Sequence, residues 1–248
     1  MGAQLETCLA SWRTVLSDYE TVKWDMQSFD ISSVPFVHQA CSAKKWAFAA
    51  DYIRLHALHE QGGIYLDADV FVRQRFDRFL GHGFFSAVEY HPSIVTAQNT
   101  MALLNADGSR KSSAHGVAGI GVQAAVMGSV PGHPFVKKAL DFYREHSFIR
   151  ADGSLATGMI APAVLARCAE TFGFRYISAR QHMEPDMLFL EPRLIASTMN
   201  DATRDALAVH CCRGSWQKKS LLRTIGRLRL VRKLRGRVTF DDIAHDML

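Results

Sequence analysis

The 248 residues, 48% of them apolar and 21% charged, suffice for one sizeable domain whose core needs neither disulfides nor a structural metal. The formal charge of +5 hides an asymmetry: residues 218–237 carry nine Lys or Arg and no acid, so without them the sum is −4. No apolar run reaches the roughly eighteen residues of a membrane span. The first residues lack the basic-then-apolar pattern of a leader, so neither a transmembrane helix nor a signal peptide is expected.

Residues 4–17 are expected to be helical, with Leu5, Cys8, Leu9, Trp12 and Leu16 on one face. Thr21 to Trp24 has the composition of a short strand. Ser42 is expected to cap a helix over residues 43–60, whose apolar positions Trp46, Ala47, Ala50, Ile53, Ala57 and Leu58 recur at helical spacing. Gly62-Gly63 stop it. Ile64-Tyr65-Leu66 then reads as a short buried strand ending at Asp67, continued over Val70 to Val72. Further strands are expected at 83–88 and 117–127, helices at 133–146 and 159–171, and late strands at 174–177 and 206–211. Strands alternating with helices indicate an α/β domain, a mostly parallel central sheet flanked by helices, with ligands at the carboxyl ends of strands.

That domain is expected to occupy residues 1–217, followed by a basic tail over 218–248. Within the tail Leu221, Leu222, Ile225 and Leu228 share a helical face, with Lys219, Arg223 and Arg227 flanking or opposing it; from Arg229 the pattern degrades. Such a segment fits an anionic membrane surface, with a solvated helix as the alternative, and no nucleic-acid partner is expected. The five cysteines (Cys8, Cys41, Cys168, Cys211 and Cys212) are odd in number and form no CxxC pair, which suggests buried thiols in a reducing compartment.

The stretch from Asp51 to Asp69 carries the chemistry. Two carboxylates separated by one residue at a strand's end, Asp67 and Asp69, can share a hard divalent cation such as Mn²⁺ or Mg²⁺. Such an ion would offset charge developing on a departing diphosphate. Asp51 and Arg54 lie three apart on one helix face, placed either to grip a ligand or to form a surface ion pair. His56 and Glu60 lack the second histidine of a zinc motif. Together with His59, His133 and Glu89 they are read as structural.

A helix carrying Asp51-x-x-Arg54, a Gly62-Gly63 stop and then Ile64-Tyr65-Leu66-Asp67-Ala68-Asp69-Val70 resembles the glycosyltransferase family with the Asp-x-Asp sugar-binding motif. That family includes yeast-type initiating mannosyltransferases and bacterial capsular-polysaccharide transferases, and the stretch is also similar to clostridial glucosylating toxins. The resemblance extends to Ser11-Trp12, to Asp18-Tyr19-Glu20 before Trp24-Asp25, to Met127-Gly128 with Pro131-Gly132-His133-Pro134, and to His210-Cys211-Cys212-Arg213-Gly214-Ser215-Trp216. It departs at Ser17, where proline is usual, at Gln123, where asparagine is common, and at Ala161-Pro162, where Gly-Pro is common. The family's opening strand has no counterpart ahead of Ser11-Trp12, so its contribution to the nucleotide half-site is expected to be missing or built otherwise.

The resemblance implies a GT-A type, Rossmann-like fold and a metal-dependent hexosyl transfer, with retention of configuration. The donor would be a UDP- or GDP-sugar and the acceptor a saccharide or lipid-linked glycan, in capsular or other cell-surface synthesis. The enzyme would be cytoplasmic, peripheral at the inner face of the membrane. Asp69 would bind the metal directly, and Asp67 the donor and the metal shell; these two are the catalytic pair. Asp51 and Arg54 would hold sugar hydroxyls and the phosphate side, with Tyr65 among the substrate-binding residues. His210 would be a third metal ligand, with a core histidine as the alternative. Ser215 and Trp216 would donate to the diphosphate. Two other classes remain: a haloacid-dehalogenase-like phosphatase, which also opens on strand-Asp-x-Asp with a nucleophilic first aspartate, and a non-catalytic membrane-surface or glycan-binding protein on the same fold.

Overall fold

The structure is a computed structural model and describes residues 3–24 and 28–211. Ser215, Trp216, Cys212 and the basic segment lie outside the described residues. The order of elements is α1 (Ala3–Val15), α2 (Pro35–Ser42), α3 (Trp46–Gln61), β1 (Gly63–Leu66), β2 (Val70–Val72), β3 (Phe84–Tyr90), α4 (Pro92–Ala97), β4 (Ile120–Val122), β5 (Val126–Ser129), α5 (Pro134–Glu145), α6 (Ala161–Ala169), β6 (Gln181–Met183), β7 (Met187–Leu190), β8 (Ile195–Ala196) and β9 (Ala208–His210).

The α/β class is as expected, but the sheet is mixed rather than mostly parallel. The larger sheet runs β1-β5-β3-β7-β6 with β4 also on β3, and only β3 and β7 pair in parallel. A second sheet, β2-β9-β8, holds the segment after Asp69, so Val70–Val72 starts a different sheet instead of prolonging β1. Short connections explain both differences: Ala68 and Asp69 turn the chain out of the first sheet, and two-strand returns such as β6 to β7 can only be antiparallel.

Both faces of the larger sheet are covered, which is why its strands read as continuous apolar runs. Alternate residues Phe84 and Val88 of β3 face a core built with α2, α3, α5 and α6. Phe85 and Ala87 face the opposite way, onto Val70, Val72, Ile195 and Ala208 of the small sheet. Helix α1 lies on β2, where the Trp12 indole donates to the Val70 carbonyl at 2.7 Å and the Val72 amide donates to the Ser11 hydroxyl at 2.9 Å. The Ser11-Trp12 pair is thus a clamp on the strand that follows the acidic motif.

Several local expectations are corrected. Ser42 ends α2 rather than capping the next helix, which begins after Lys45. Trp46, expected on the apolar face, is 55% exposed, because the buried row of α3 is Phe48, Tyr52, Leu55 and Leu58. Residues 21–24 and 174–177 form no strand, and 117–127 divides into β4 and the start of β5.

Gly62 and Gly63 have φ of 69° and 90°, a region that favours glycine. A side chain on Gly62 would also lie 2.7 Å from Pro131 Cδ and 2.9 Å from the Ser129 carbonyl oxygen, whereas one on Gly63 meets nothing within 4 Å. The two positions therefore separate strain from crowding. Gly63→Ala should cost about 1–3 kcal/mol through backbone strain alone, and Gly62→Ala roughly 1–3 kcal/mol more through overpacking. Urea denaturation midpoints of the two variants check the order; equal losses would contradict it.

Candidate active site

Arg54 is the centre of the site. It projects from α3 with 6% exposure, and its guanidinium meets five partners, the first of them the Ala50 carbonyl, which accepts from Nε at 3.2 Å. Nη2 is 3.1 Å from Asp51 Oδ1, Nη1 donates to the Ala124 carbonyl at 2.8 Å, and Nη1 is 3.4 Å from Asp67 Oδ2. The guanidinium carbon also sits 4.9 Å above the Tyr65 ring. The i,i+3 pair expected from sequence is therefore no surface ion pair. It is buried, and it reaches from the helix to the acidic strand end.

Asp67 is fixed by three contacts: its amide donates to the Ala125 carbonyl at 2.8 Å, the Tyr65 hydroxyl donates to Oδ1 at 2.6 Å, and Arg54 holds Oδ2. Tyr65 thus supports Arg54 and Asp67 but does not itself line the cavity. His210 arrives by strand register. Pairing of β2 with β9 sets Val70 opposite His210, and the Cys211 amide donates to the Asp69 carbonyl at 2.9 Å. His210 Nε2 lies 3.4 Å from Asp69 Oδ1 and 3.9 Å from Asp67 Oδ2.

Among the described residues, Asp67, Asp69 and His210 each offer a ligand atom within 4.8 Å of the others. Two carboxylates and an imidazole suit a divalent ion that accepts oxygen and nitrogen, Mn²⁺ more readily than Mg²⁺. Burial alone would lower the His210 pKa, but its hydrogen bond to Asp69 and the Asp67 charge outweigh that and raise it. Burial pushes the Asp51 carboxyl up to about 7, with the Arg54 charge pulling the other way.

These groups open into a cavity of about 330 Å³ at the carboxyl end of β1. Asp51, Arg54, Asp67, Asp69 and His210 line it, together with Gln123, Ile160 to Pro162 and Ser197-Thr198 among others. Gln123 is 1% exposed: its carbonyl accepts the Ala125 amide at 2.9 Å and its amide reaches Ser197 Oγ at 3.3 Å. It fixes the Ala124–Ala125 turn whose carbonyls hold Arg54 and Asp67. Two lining residues were not expected from sequence. Glu89 and His91, at the end of β3, face the same cavity with His91 Nε2 2.8 Å from Glu89 Oε1. No sequence motif marks them, since only the fold brings β3 opposite the acidic turn.

Residues 2–85 match the family model described as "Glycosyltransferase sugar-binding region containing DXD motif", roughly the first third of the chain. The match takes in Asp51, Arg54, both glycines, Asp67 and Asp69. A solved structure titled "PaToxG Glycosyltransferase" is similar over 69% of this chain and 64% of its own length, at 15% identity and a TM-score of 0.45. No curated protein sequence matches.

The ligand set predicts a metal-linked stability. Mn²⁺ should raise the melting temperature of the wild type, since a ligand that binds only the folded state at about 100 times its Kd adds roughly 2.7 kcal/mol. Asp69→Asn, nearly isosteric but neutral, should abolish most of that shift while leaving the metal-free melting temperature close to wild type. An undiminished shift in this variant would remove Asp69 from the ligand set.

Proposed function

We propose that this chain, which carries the DXD-containing glycosyltransferase sugar-binding region of its family over residues 2–85, moves a hexosyl group from a nucleoside-diphospho-sugar to a saccharide hydroxyl with the help of Mn²⁺ or Mg²⁺. The observation that carries the reading is the convergence of Asp51, Arg54, Asp67, Asp69 and His210 on one cavity. In this reading the two aspartates of the motif and His210 hold the metal, which when bound offsets charge on the departing diphosphate. Asp51 accepts hydrogen bonds from sugar hydroxyls and Arg54 faces the phosphate side. Ser215 and Trp216 contribute to the diphosphate from the segment after His210. Retention of anomeric configuration and a cell-surface or capsular product belong to the same proposal. Among the described residues no helix is long and apolar enough to cross a membrane.

A donor panel tests this directly. The chain with Mn²⁺ is expected to release nucleoside diphosphate from at least one of UDP-glucose, UDP-galactose, UDP-N-acetylglucosamine and GDP-mannose, and to lose that activity with a chelator. Asp51→Asn should weaken binding of the sugar nucleotide about tenfold, or 1.4 kcal/mol, with a much smaller effect on the free nucleoside diphosphate, whereas Arg54→Lys should weaken both. Equal losses for both ligands in Asp51→Asn, by calorimetry, would return that carboxylate to a structural role.

The reading extends to location. Residues 1–217 form the transferase domain, and the basic segment from Lys218 to Arg237 holds it at an anionic membrane on the cytoplasmic side, where a lipid-linked glycan acceptor would lie. Each of the nine cations adds about 1 kcal/mol near such a surface at low salt. Truncation after Gln217 should abolish salt-sensitive binding to phosphatidylserine vesicles and spare donor hydrolysis. Undiminished vesicle binding by the truncated chain would sink the membrane role.

A further inference from the structure

Sulfur collects at one place that no spacing in the sequence marks. Cys8 lies on α1, Met199 in the connection between β8 and β9, and Cys211 directly after β9, so the two cysteines stand 203 positions apart. Cys211 Sγ is nevertheless 3.8 Å from Cys8 Sγ and 3.8 Å from Met199 Sδ, and it lies 3.7 Å from the Val209 carbonyl oxygen. Phe71 of β2, whose side chain alternates away from Val70 and Val72, packs with the two cysteines, and Ala202 packs against the same group. Both cysteines are buried. Met199 is only partly buried, so the cluster can be reached from solvent on its side.

The separations suit a shared ion. A thiolate sulfur stands about 2.3 Å from a bound d¹⁰ metal, so sulfurs sharing one in a tetrahedral or trigonal array are about 3.8–4.0 Å apart. A disulfide would need roughly 2.05 Å. Both sulfur–sulfur separations at Cys211 fall in the range for a shared metal. The donors narrow the choice of ion. Two thiols and a thioether are soft ligands, which select Cu(I). Zinc takes four ligands drawn from thiolate, imidazole and carboxylate, and a thioether is not among them. Phe71 and Ala202 surround the sulfurs with apolar surface, which limits competition from water.

We propose that Cys8, Met199 and Cys211 form a binding site for Cu(I), separate from the set of Asp67, Asp69 and His210. Two thiolates and one thioether hold the ion, each thiol giving up its proton on binding. The ion then joins α1, the connection before β9 and the end of β9 by bonds where otherwise there is only packing. Cys211 follows His210, and its amide donates to the Asp69 carbonyl at 2.9 Å. Copper at Cys211 therefore anchors the segment that brings His210 to the acidic turn. Nothing in this assignment depends on the glycosyl-transfer reading.

The test titrates the full chain, anaerobic and with ascorbate, into the coloured Cu(I) complex of bicinchoninate. The wild type should withdraw one Cu(I) per chain, and X-ray absorption should show a first shell of sulfur alone at about 2.3 Å. Cys8→Ala and Cys211→Ala should abolish the uptake. Met199→Leu, a volume-conserving change, should weaken it at least about tenfold and leave two sulfurs in the shell. That variant carries the test alone if the alanine variants do not fold. Asp69→Asn should take up Cu(I) as the wild type does, which separates this site from the acidic one. A wild type that leaves the copper with the chelator overturns the proposal and makes the sulfurs a packing cluster. Uptake that Met199→Leu leaves within about threefold of wild type overturns it as well. So does a shell containing nitrogen, which would assign the copper to an imidazole.

Discussion

A guanidinium cannot be buried without partners, and the arrangement around Arg54 follows from meeting that requirement. Removing one partner of a buried ion pair costs about 3–5 kcal/mol, because the remaining charge is left in a poorly polarisable interior. Arg54 meets the demand with Asp51 from its own helix, Asp67 from the strand end, the Ala124 carbonyl from the turn into β5 and the Tyr65 ring beneath it. These partners come from three pieces of chain: α3, β1 with its end, and the turn into β5. Fixing the guanidinium therefore fixes the angle between α3 and β1, the exit of the acidic motif and the turn at Ala124 and Ala125. The glycine pair makes this possible by turning the chain within two residues, so that the end of α3 and the start of β1 stay in reach of one side chain.

The charge balance of the cavity bears on what it can accept. Asp51, Asp67, Asp69 and Glu89 face one guanidinium and two imidazoles. With Arg54 engaged by Asp51 and Asp67, little positive potential is left for a diphosphate. A diphosphate brought in alone would meet net repulsion from the acidic turn. A divalent ion held by Asp67, Asp69 and His210 would reverse the sign locally and turn the acidic turn from an obstacle into a support. The proposed metal dependence would in this sense answer to the electrostatics of the cavity as well as to the motif.

What the sequence made legible was local. Asp51, Arg54, the two glycines and the acidic pair sit within nineteen residues, and helical and strand periodicity alone suffice to bring them together. His210 was legible only through resemblance, because a register between β2 and β9 across the length of the chain puts it there. Glu89 and His91 were illegible for the same reason without a motif to help: only the fold of β3 brings them to the cavity that the acidic turn lines. The mixed sheet was missed because apolar runs announce burial on both faces without announcing direction, and Phe84 to Val88 are buried on both faces beside antiparallel and parallel neighbours alike. Trp46 matched the helical period and is nonetheless exposed, since periodicity fixes a stripe but not which of two adjacent stripes faces the core.

The geometry also weighs against the phosphatase alternative. A nucleophilic first aspartate must present an unencumbered carboxylate to phosphorus, with a nearby lysine to offset charge. Asp67 is instead engaged at both oxygens, by the Tyr65 hydroxyl at Oδ1 and by Arg54 at Oδ2. No lysine is among the cavity-lining residues described, and Asp241-Asp242, the acidic pair such an enzyme would require, lies outside the described residues. The strand before Asp67 is moreover an edge strand antiparallel to β5, not a central parallel strand that would aim its terminal carboxylate out of the middle of the sheet. An aspartate tied down in this way serves better as a fixed charge than as an attacking group. That is the role a metal-bound diphosphate needs and a phosphoryl-enzyme mechanism cannot use.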